Sequence, residues 1–183
     1  MEPLHAEREN GRTMTGQDQA GLDDRFKDAM RRLAGTVTIV TVCHDGERHG
    51  TTATAVTSLS MEPPSLLVCF NKDSRLHGLL GRSEQFCVNL LHADNIGVSR
   101  LFASPVTSAE RFASGDWAMG DGEAPFHADA QASILCAKDK EIEYGTHTIF
   151  IGRVLEVRNR NDVAPLIYCN GRYAVTSSYP GDQ

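Results

Sequence analysis

Short apolar runs, many of them alternating with polar residues, dominate the chain and predict a protein built mainly of β-strands. The predicted strands cover residues 36–43, 49–59, 65–70, 85–91, 131–144, 146–158 and 166–169. Most are rich in Val, Ile and Thr, which fit the pleated surface of a sheet. The two longest runs alternate along their length, which is typical of an antiparallel pair with one buried face. A turn at residues 44–46 makes the first two strands a candidate hairpin.

Three further segments are predicted to be helical: residues 22–34, 75–80 and 94–103. In the first of these, apolar residues from Leu22 to Leu33 recur at spacings of four, four and three, which predicts an amphipathic helix. Ser74 is suited to cap the second helix. Residues 104–129 are rich in Gly, Pro, Ser and Asp, and this composition predicts a long loop.

This order of elements predicts a small antiparallel barrel with a few peripheral helices. The regular alternation of strand and helix that a parallel sheet requires is missing, and no GxGxxG or Walker loop occurs. At 183 residues the chain is long enough for one domain with its own core. We expect a disordered arm over residues 1–21, the domain over 22–177 and a short tail over 178–183.

Composition limits the classes of partner. The net charge of −6 argues against nucleic acid or an anionic membrane as the main partner. No run approaches the roughly 18 apolar residues of a membrane span, and residues 1–21 contain no apolar core like that of a signal peptide. The five cysteines form an odd set without CxxC spacing, which predicts reduced thiols, a cytoplasmic protein and no metal site.

The segment 71–75 has the chemistry of an anion site. Lys72 and Arg75 bring cations to a predicted helix start at Ser74, where free N–H groups and the helix dipole favour a phosphate. The alternative is that Ser74 only caps the helix and both cations are solvated surface residues.

The predicted strand over residues 49–59 is rich in small and hydroxyl-bearing residues. Alternation places Thr52 and Thr54 on one face and Ala53, Ala55 and Thr57 on the other. Such a strand lets a planar ring approach the backbone, although high β-propensity alone would also explain its threonines. A ring and a phosphate together indicate a phosphorylated planar cofactor, of which FMN is the simplest candidate.

Six segments in this order resemble the flavin reductase-like, FMN-binding split-barrel family: residues 26–41, 49–75, 85–91, 111–112, 145–154 and 165–173. More narrowly, they are similar to the small reductase components of two-component flavin-dependent monooxygenases of the 4-hydroxyphenylacetate type. The resemblance implies a homodimeric antiparallel split β-barrel that binds FMN or FAD. It further implies that NADH or NADPH reduces the flavin, which then diffuses to a separate monooxygenase.

The resemblance and the chemistry together give a set of candidate site residues. The cofactor-binding candidates are Thr52, Ala53, Thr54, Ala55, Thr57, Ser58, Asn71, Lys72, Ser74, Arg75, Asn89, Leu90 and Tyr173. His147 is the catalytic candidate, because an imidazole can hydrogen-bond a carboxamide or flank stacked rings during hydride transfer. Arg111 and Phe112 are expected to shape the pocket.

A purely structural role stays open as the alternative for several of these candidates. A histidine in a strand is often structural, Asn89 is also explained as a satisfied buried amide, and Tyr173 as a surface residue. Two other functions stay open as well: a flavin-binding module without turnover, and an enzyme like pyridoxamine-phosphate oxidase. The residues do not distinguish FMN from FAD or NADH from NADPH.

Overall fold

The computed structural model describes residues 16–119, 124–178 and 181. The chain divides into two compact units, Met1–Leu33 and Ala34–Gln183. The described part of the first unit contains helix α1 (Gly16–Arg31), which begins before the predicted helix and therefore includes the end of the predicted arm. The rest of that arm, residues 1–15, and most of the predicted tail, 178–183, lie outside the described residues.

The described part of the second unit is mainly β, as predicted. Its strands are β1 (Gly35–Thr36), β2 (Thr38–His44), β3 (Glu47–Ala53), β4 (Val56–Met61), β5 (Pro64–Asn71), β6 (Gln85–Leu90), β7 (Trp117–Ala118), β8 (Phe126–His127), β9 (Ala132–Tyr144), β10 (His147–Asn159), β11 (Ile167–Cys169) and β12 (Arg172–Ala174). Its helices are α2 (Arg75–Arg82), α3 (Ile96–Ala103), which a 3₁₀ turn at Ala93–Asn95 precedes, and α4 (Ser108–Phe112).

Seven strands form one antiparallel sheet in the order β3-β2-β6-β9-β10-β5-β4. Its edge strands β3 and β4 are consecutive in the chain, with only Thr54 and Ala55 between them. Three virtual bonds of 3.8 Å limit the distance from Ala53 to Val56 to about 11 Å. The two edges of the sheet therefore approach each other, so the sheet is rolled, while no ladder pairing joins β3 to β4 in the described chain.

The prediction of one strand over residues 49–59 was wrong. The chain leaves one edge of the sheet at Ala53 and enters the other at Val56, and a continuous strand could not pair at both edges. The hydrogen bond from the Cys69 N–H to the Ala55 carbonyl, 3.1 Å, ties the connection to β5. The predicted alternation of side chains between the two faces of one strand is interrupted at Thr54 and Ala55. Ala55 and Thr57 therefore do not share a continuous strand face with Ala53.

Strand β2 explains why residues 36–43 contain only apolar residues and threonines, since both of its faces are buried. Val40 and Val42 face a core that Leu76 and Leu80 of α2 close. Ile39, on the opposite face, belongs to a second core with aromatic and aliphatic residues of α3, α4 and the C-terminal strands. Strands buried on both faces lose the polar alternation of half-exposed ones.

The segment 104–129, predicted to be a loop, contains the short helix α4 and the ribbon of β7 and β8. A capping box begins α4: Thr107 and Glu110 each accept a hydrogen bond from the other's backbone N–H. The T-x-x-E pattern that signals such a box is present in the sequence and was missed. Phe112 of α4 is buried against Phe102 rather than in a pocket.

We predict that Gly152→Ala destabilises the protein by about 1–3 kcal/mol, the usual cost of overpacking a core. A Cβ at this position would contact the ring of Phe86 and lie 2.8 Å from the Cβ of Cys136. Gly78→Ala is the matched control, because a Cβ there meets nothing within 4 Å and alanine favours a helix. Urea unfolding measures both; equal stability of the two variants would contradict this packing.

Candidate functional site

Edge strand β3 lies between two cavities. The first, which we call the basic cavity, has a volume of about 400 Å³ and is lined by His49, Thr51, Ser74, Arg75, Leu76, Pro105, Val106, Ser108 and Arg111. The second, the tyrosine cavity, has a volume of about 270 Å³ and is lined by Val37, Thr52, Ala53, Thr54, Ser99, Ala103, Tyr168 and Tyr173. Thr51 and Thr52 are adjacent in the chain and point to opposite faces of the strand, so the two cavities meet at this edge.

The N-terminus of α2 forms one wall of the basic cavity. Ser74 caps the helix by accepting a hydrogen bond from the His77 N–H at 3.2 Å. Asn71 builds the turn before it, since its side-chain oxygen accepts from the Asp73 N–H at 2.8 Å. Arg75, the first residue of the helix, therefore stands where the helix dipole favours an anion. Both the cap and its position were predicted.

Arg111 also lines the basic cavity and is held in a fixed orientation. Its Nη1 donates to the Gly50 carbonyl and its Nη2 to the Ser104 carbonyl, both at 2.8 Å. Its Nε is buried without a hydrogen-bond partner. Within the described chain Arg111 forms no ion pair. Burial first, and then the nearby charge of Arg75, lower the pKa of this guanidinium, which nevertheless stays charged because an arginine side chain is not deprotonated in proteins.

His49 contributes a neutral imidazole to the same cavity. The side chain is 7% exposed, and its Nδ1 is buried without a partner. Burial first, then the charges of Arg111 and Arg75, lower its pKa from 6.5 to about 4. At neutral pH the positive charge of the cavity therefore comes from the two arginines and the helix terminus.

Arg75 already has an acidic partner. Its Nη2 donates to Oε1 of Glu47, the first residue of β3, at 2.6 Å. The hydrogen bond from Arg75 lowers the pKa of the Glu47 carboxyl. Lys72, the other predicted phosphate ligand, is likewise paired with Glu143 at 2.7 Å and does not line the basic cavity.

The outer edge of β3 offers backbone groups to a ligand. Residues of α4 cover its first part: Ser108 donates to the Arg48 carbonyl and Arg111 to the Gly50 carbonyl. Alternate residues of an antiparallel strand direct their N–H and C=O to the same side. The next groups on this edge belong to Thr52, and β3 pairs only with β2 in the described sheet, so the edge-facing N–H and C=O of Thr52 have no ladder partner.

Tyr173 is part of the wall of the tyrosine cavity rather than a loose surface residue. Its hydroxyl lies 2.9 Å from Ser99 Oγ, and its ring meets that of Tyr168 edge to face at 5.4 Å. The guanidinium of Arg100 lies over the ring, 5.7 Å from its centre. Together with the small side chains of β3, these rings bound an apolar space with one polar corner.

Asn89 and Leu90 lie away from both cavities. Asn89 is fully buried; its amide donates to the Ile39 carbonyl, and its oxygen accepts from the His127 N–H and the Ser133 hydroxyl. This is the satisfied buried amide that the sequence left open as the alternative. Leu90 packs against the core beside α2. We leave both residues out of the site.

Several other candidates are exposed and line neither cavity. Thr57 and Ser58 lie on β4, at the opposite edge of the sheet from β3. His147 is the exposed first residue of β10 and pairs with Asn71 of β5. Its Nδ1 lies 2.9 Å from Thr146 Oγ1, and the Thr146 carbonyl accepts from the Lys72 N–H at 2.9 Å. His147 is thus next to the turn that leads into α2.

The structure therefore divides the predicted residues. It brings Ser74 and Arg75 into one cavity and Thr52, Ala53, Thr54 and Tyr173 into the other. His49 was not predicted, because nothing in its local sequence shows that residues from α2 and α4 converge on it.

Among the described residues, no cluster of His, Cys, Asp and Glu is suited to a metal ion. No helix in the described chain is long and apolar enough to span a membrane.

Comparison with known proteins gives a consistent set of matches. The sequence profile of the family described as "Flavin reductase like domain" matches residues 30–177. The reductase component of an FADH(2)-dependent resorcinol hydroxylase from Rhizobium sp. (strain MTP-10005) is 43% identical over 86% of this chain and 89% of its own. The FMN reductase (NADH) RutF of Stutzerimonas stutzeri (strain A1501) is 38% identical over 84% and 88%.

A solved structure with bound nucleotides is also similar. It is the NADH:FAD oxidoreductase SgcE6 of Streptomyces globisporus C-1027, in complex with NAD and FAD fragments. The match has a TM-score of 0.78 at 29% identity and covers 94% of this chain and all of the other. The rolled sheet described above is therefore a fold that other proteins use with these nucleotides.

We predict that His49 makes stability depend on pH between about 6.5 and 4. Its folded pKa lies below its unfolded value, so the unfolded state gains the proton first as the pH falls, and the free energy of unfolding decreases through this window. In His49→Asn this decrease should be smaller than in the wild type, as measured by denaturant unfolding at a series of pH values. An unchanged slope in His49→Asn would contradict the burial of His49.

Proposed function

The chain belongs to the flavin reductase-like family, and on that premise we propose that it is an NADH-dependent flavin reductase that supplies reduced flavin to a separate monooxygenase. The observation that carries this proposal is the pair of cavities that meet at the edge of β3. One is cationic and the other is small and apolar, which are the two environments that a phosphorylated planar cofactor requires.

The flavin phosphate occupies the basic cavity in this proposal. The N–H groups at the start of α2 and the Arg75 guanidinium are donors at this cavity, and the Arg111 guanidinium adds positive charge to its lining. A phosphate supplies the acceptors that these donors lack, and charge-assisted hydrogen bonds are the strong ones. The neutral His49 adds a polar contact without a further charge.

The isoalloxazine ring lies along the edge of β3, against Thr52, Ala53 and Thr54. The free Thr52 N–H is suited to donate to the ring edge, where negative charge grows when the flavin accepts a hydride. Tyr173 bounds the same cavity and limits how far the ring can slide. NADH supplies the hydride to the flavin; the residues of this chain orient the ring and stabilise its charge.

His147 orients the nicotinamide in this proposal. Hydride transfer requires stacked rings at a controlled distance more than it requires a strong base. The contact with Thr146 Oγ1 fixes one ring nitrogen of His147 and leaves the other free for a carboxamide. The exposed position of His147 at the start of β10 is compatible with a substrate that binds and leaves in each turnover.

We further propose that the enzyme is a cytoplasmic homodimer. Large apolar side chains are exposed on β4 and β10, among them Leu59, Met61, Leu155 and Val157. Exposed apolar side chains that cluster on one surface are typical of an interface. None of the five cysteines forms a disulfide bond, as a reducing compartment favours. A molar mass of one chain in light scattering would contradict the dimer.

An anaerobic assay tests the activity and both cofactor preferences. NADH and NADPH are each mixed with FMN, FAD and riboflavin, without any other substrate, and flavin bleaching is followed. We expect bleaching with NADH and a phosphorylated flavin. If the protein binds flavin and NADH never bleaches that flavin, the protein is a flavin-binding module. If turnover requires an amine or pyridoxine substrate, the protein is an enzyme like pyridoxamine-phosphate oxidase.

We predict that Arg75→Ala weakens FMN binding by about tenfold or more, since a hydrogen bond to a charged group contributes roughly 1.5–3 kcal/mol. Riboflavin binding should change little, because riboflavin lacks the phosphate. Lys72→Ala is the matched control: it removes the same charge three residues away, outside the basic cavity. Fluorescence titration measures all of these affinities. A larger loss of FMN affinity in Lys72→Ala than in Arg75→Ala would show that the phosphate binds at the turn between β5 and α2 instead.

We also predict that His147→Ala lowers the rate of NADH oxidation at least several-fold while FMN affinity is retained. The cause is loss of nicotinamide orientation, so the change should appear in the rate of anaerobic flavin reduction by NADH in a stopped-flow instrument. His44→Ala, which changes a histidine of β2 that lines neither cavity, is the control. A wild-type rate of flavin reduction in His147→Ala would contradict the role of His147 in orienting the nicotinamide.

A further inference from the structure

We infer that Glu47 competes with the flavin phosphate for Arg75 and so keeps flavin affinity low enough for release. This inference rests on the proposed function, because it concerns the same phosphate site. A reductase that hands its product to another protein needs a site from which that product dissociates in every turnover. Affinity in such a site is set mainly by the dissociation rate.

The geometry supports competition rather than simple stabilisation. Glu47 Oε1 lies 2.6 Å from Arg75 Nη2, at the distance of a charge-assisted hydrogen bond. The two side chains are 45% and 66% exposed, so solvent screens their attraction and the pair can open at little cost. A phosphate oxygen that takes the N–H now bonded to Glu47 displaces the carboxylate. A phosphate that takes another of the five guanidinium N–H groups shares one cation with a second anion, and the two anions repel each other.

The two arginines of the basic cavity thus differ in what they offer. Arg111 is fixed by two backbone carbonyls and has no carboxylate partner among the described residues. Arg75 reaches the cavity from a surface ion pair. An incoming phosphate therefore meets no competing carboxylate at Arg111 or at the α2 N-terminus, and it has the charge of Arg75 to itself only after Glu47 is displaced.

The exchange acts on the phosphate, which the oxidised flavin and the reduced product both carry. The carboxylate of Glu47 stays next to the cavity after it is displaced, because it is anchored at the start of β3. It is then able to recapture Arg75 whenever a phosphate contact opens. Loss of the ligand is thereby favoured without any change in the fold.

The test is Glu47→Gln, which preserves shape and removes the charge. FMN affinity should rise about two- to fivefold, the range that breaking one exposed ion pair allows. The dissociation rate of FMN, followed by stopped-flow fluorescence, should fall by a similar factor. Riboflavin affinity should be unchanged. Unchanged FMN affinity in Glu47→Gln would overturn the inference.

Two further variants separate competition from a general effect of charge. Glu143→Gln removes an equal charge and also frees a cation, Lys72, but outside the basic cavity. It should leave FMN affinity at the wild-type value, and an increase equal to that of Glu47→Gln would overturn the inference. In an Arg75→Ala background, Glu47→Gln should have no effect, because the contested cation is gone. A persisting effect would show that Glu47 acts by another route.

These outcomes also distinguish the inference from the proposed function. If wild-type protein binds FMN more tightly than riboflavin and Glu47→Gln changes nothing, the flavin phosphate site stands and only the competition fails. If wild-type protein binds FMN no better than riboflavin, the phosphate site itself is wrong and the inference falls with it.

Discussion

The two-residue connection at Thr54 and Ala55 is the constraint on which the site depends. It forces the two edges of a seven-stranded sheet to approach each other, yet the described strands at those edges do not pair. A fully closed barrel would pair the backbone groups of every strand and leave none of them for a ligand. The unpaired edge of β3 instead keeps backbone donors and acceptors free beside a cationic helix terminus. The opening in the barrel and the proposed flavin site are therefore one feature.

Much of this could be predicted from local sequence. The hairpin at Asp45 and Gly46 follows from residues that accept positive φ, and the cap at Ser74 follows from its hydroxyl. The long alternating runs 131–144 and 146–158 became β9 and β10 with nearly their predicted bounds. In each case the determinant lies within a few residues, which is the range over which propensity and periodicity carry information.

The rest depended on contacts that the sequence does not reveal. Nothing near Val56 signals that the chain changes edges, so a single strand was the natural prediction. His49 and Arg111 are 62 positions apart and meet only because α4 lies along β3. Asn89 was ambiguous for the same reason, since its partners come from three other segments. The helix α4 is different: its capping box was readable and was overlooked.

The way in which residues 104–112 are attached has a consequence for how such sites diversify. The described bonds that fasten this segment to β3 run from the side chains of Ser108 and Arg111 to main-chain carbonyls. Every amino acid carries a carbonyl, so this attachment requires donor side chains in the segment and places no demand on the side chains of β3. Side chains of β3 that line the two cavities can therefore change during evolution while the segment 104–112 stays attached to the same strand.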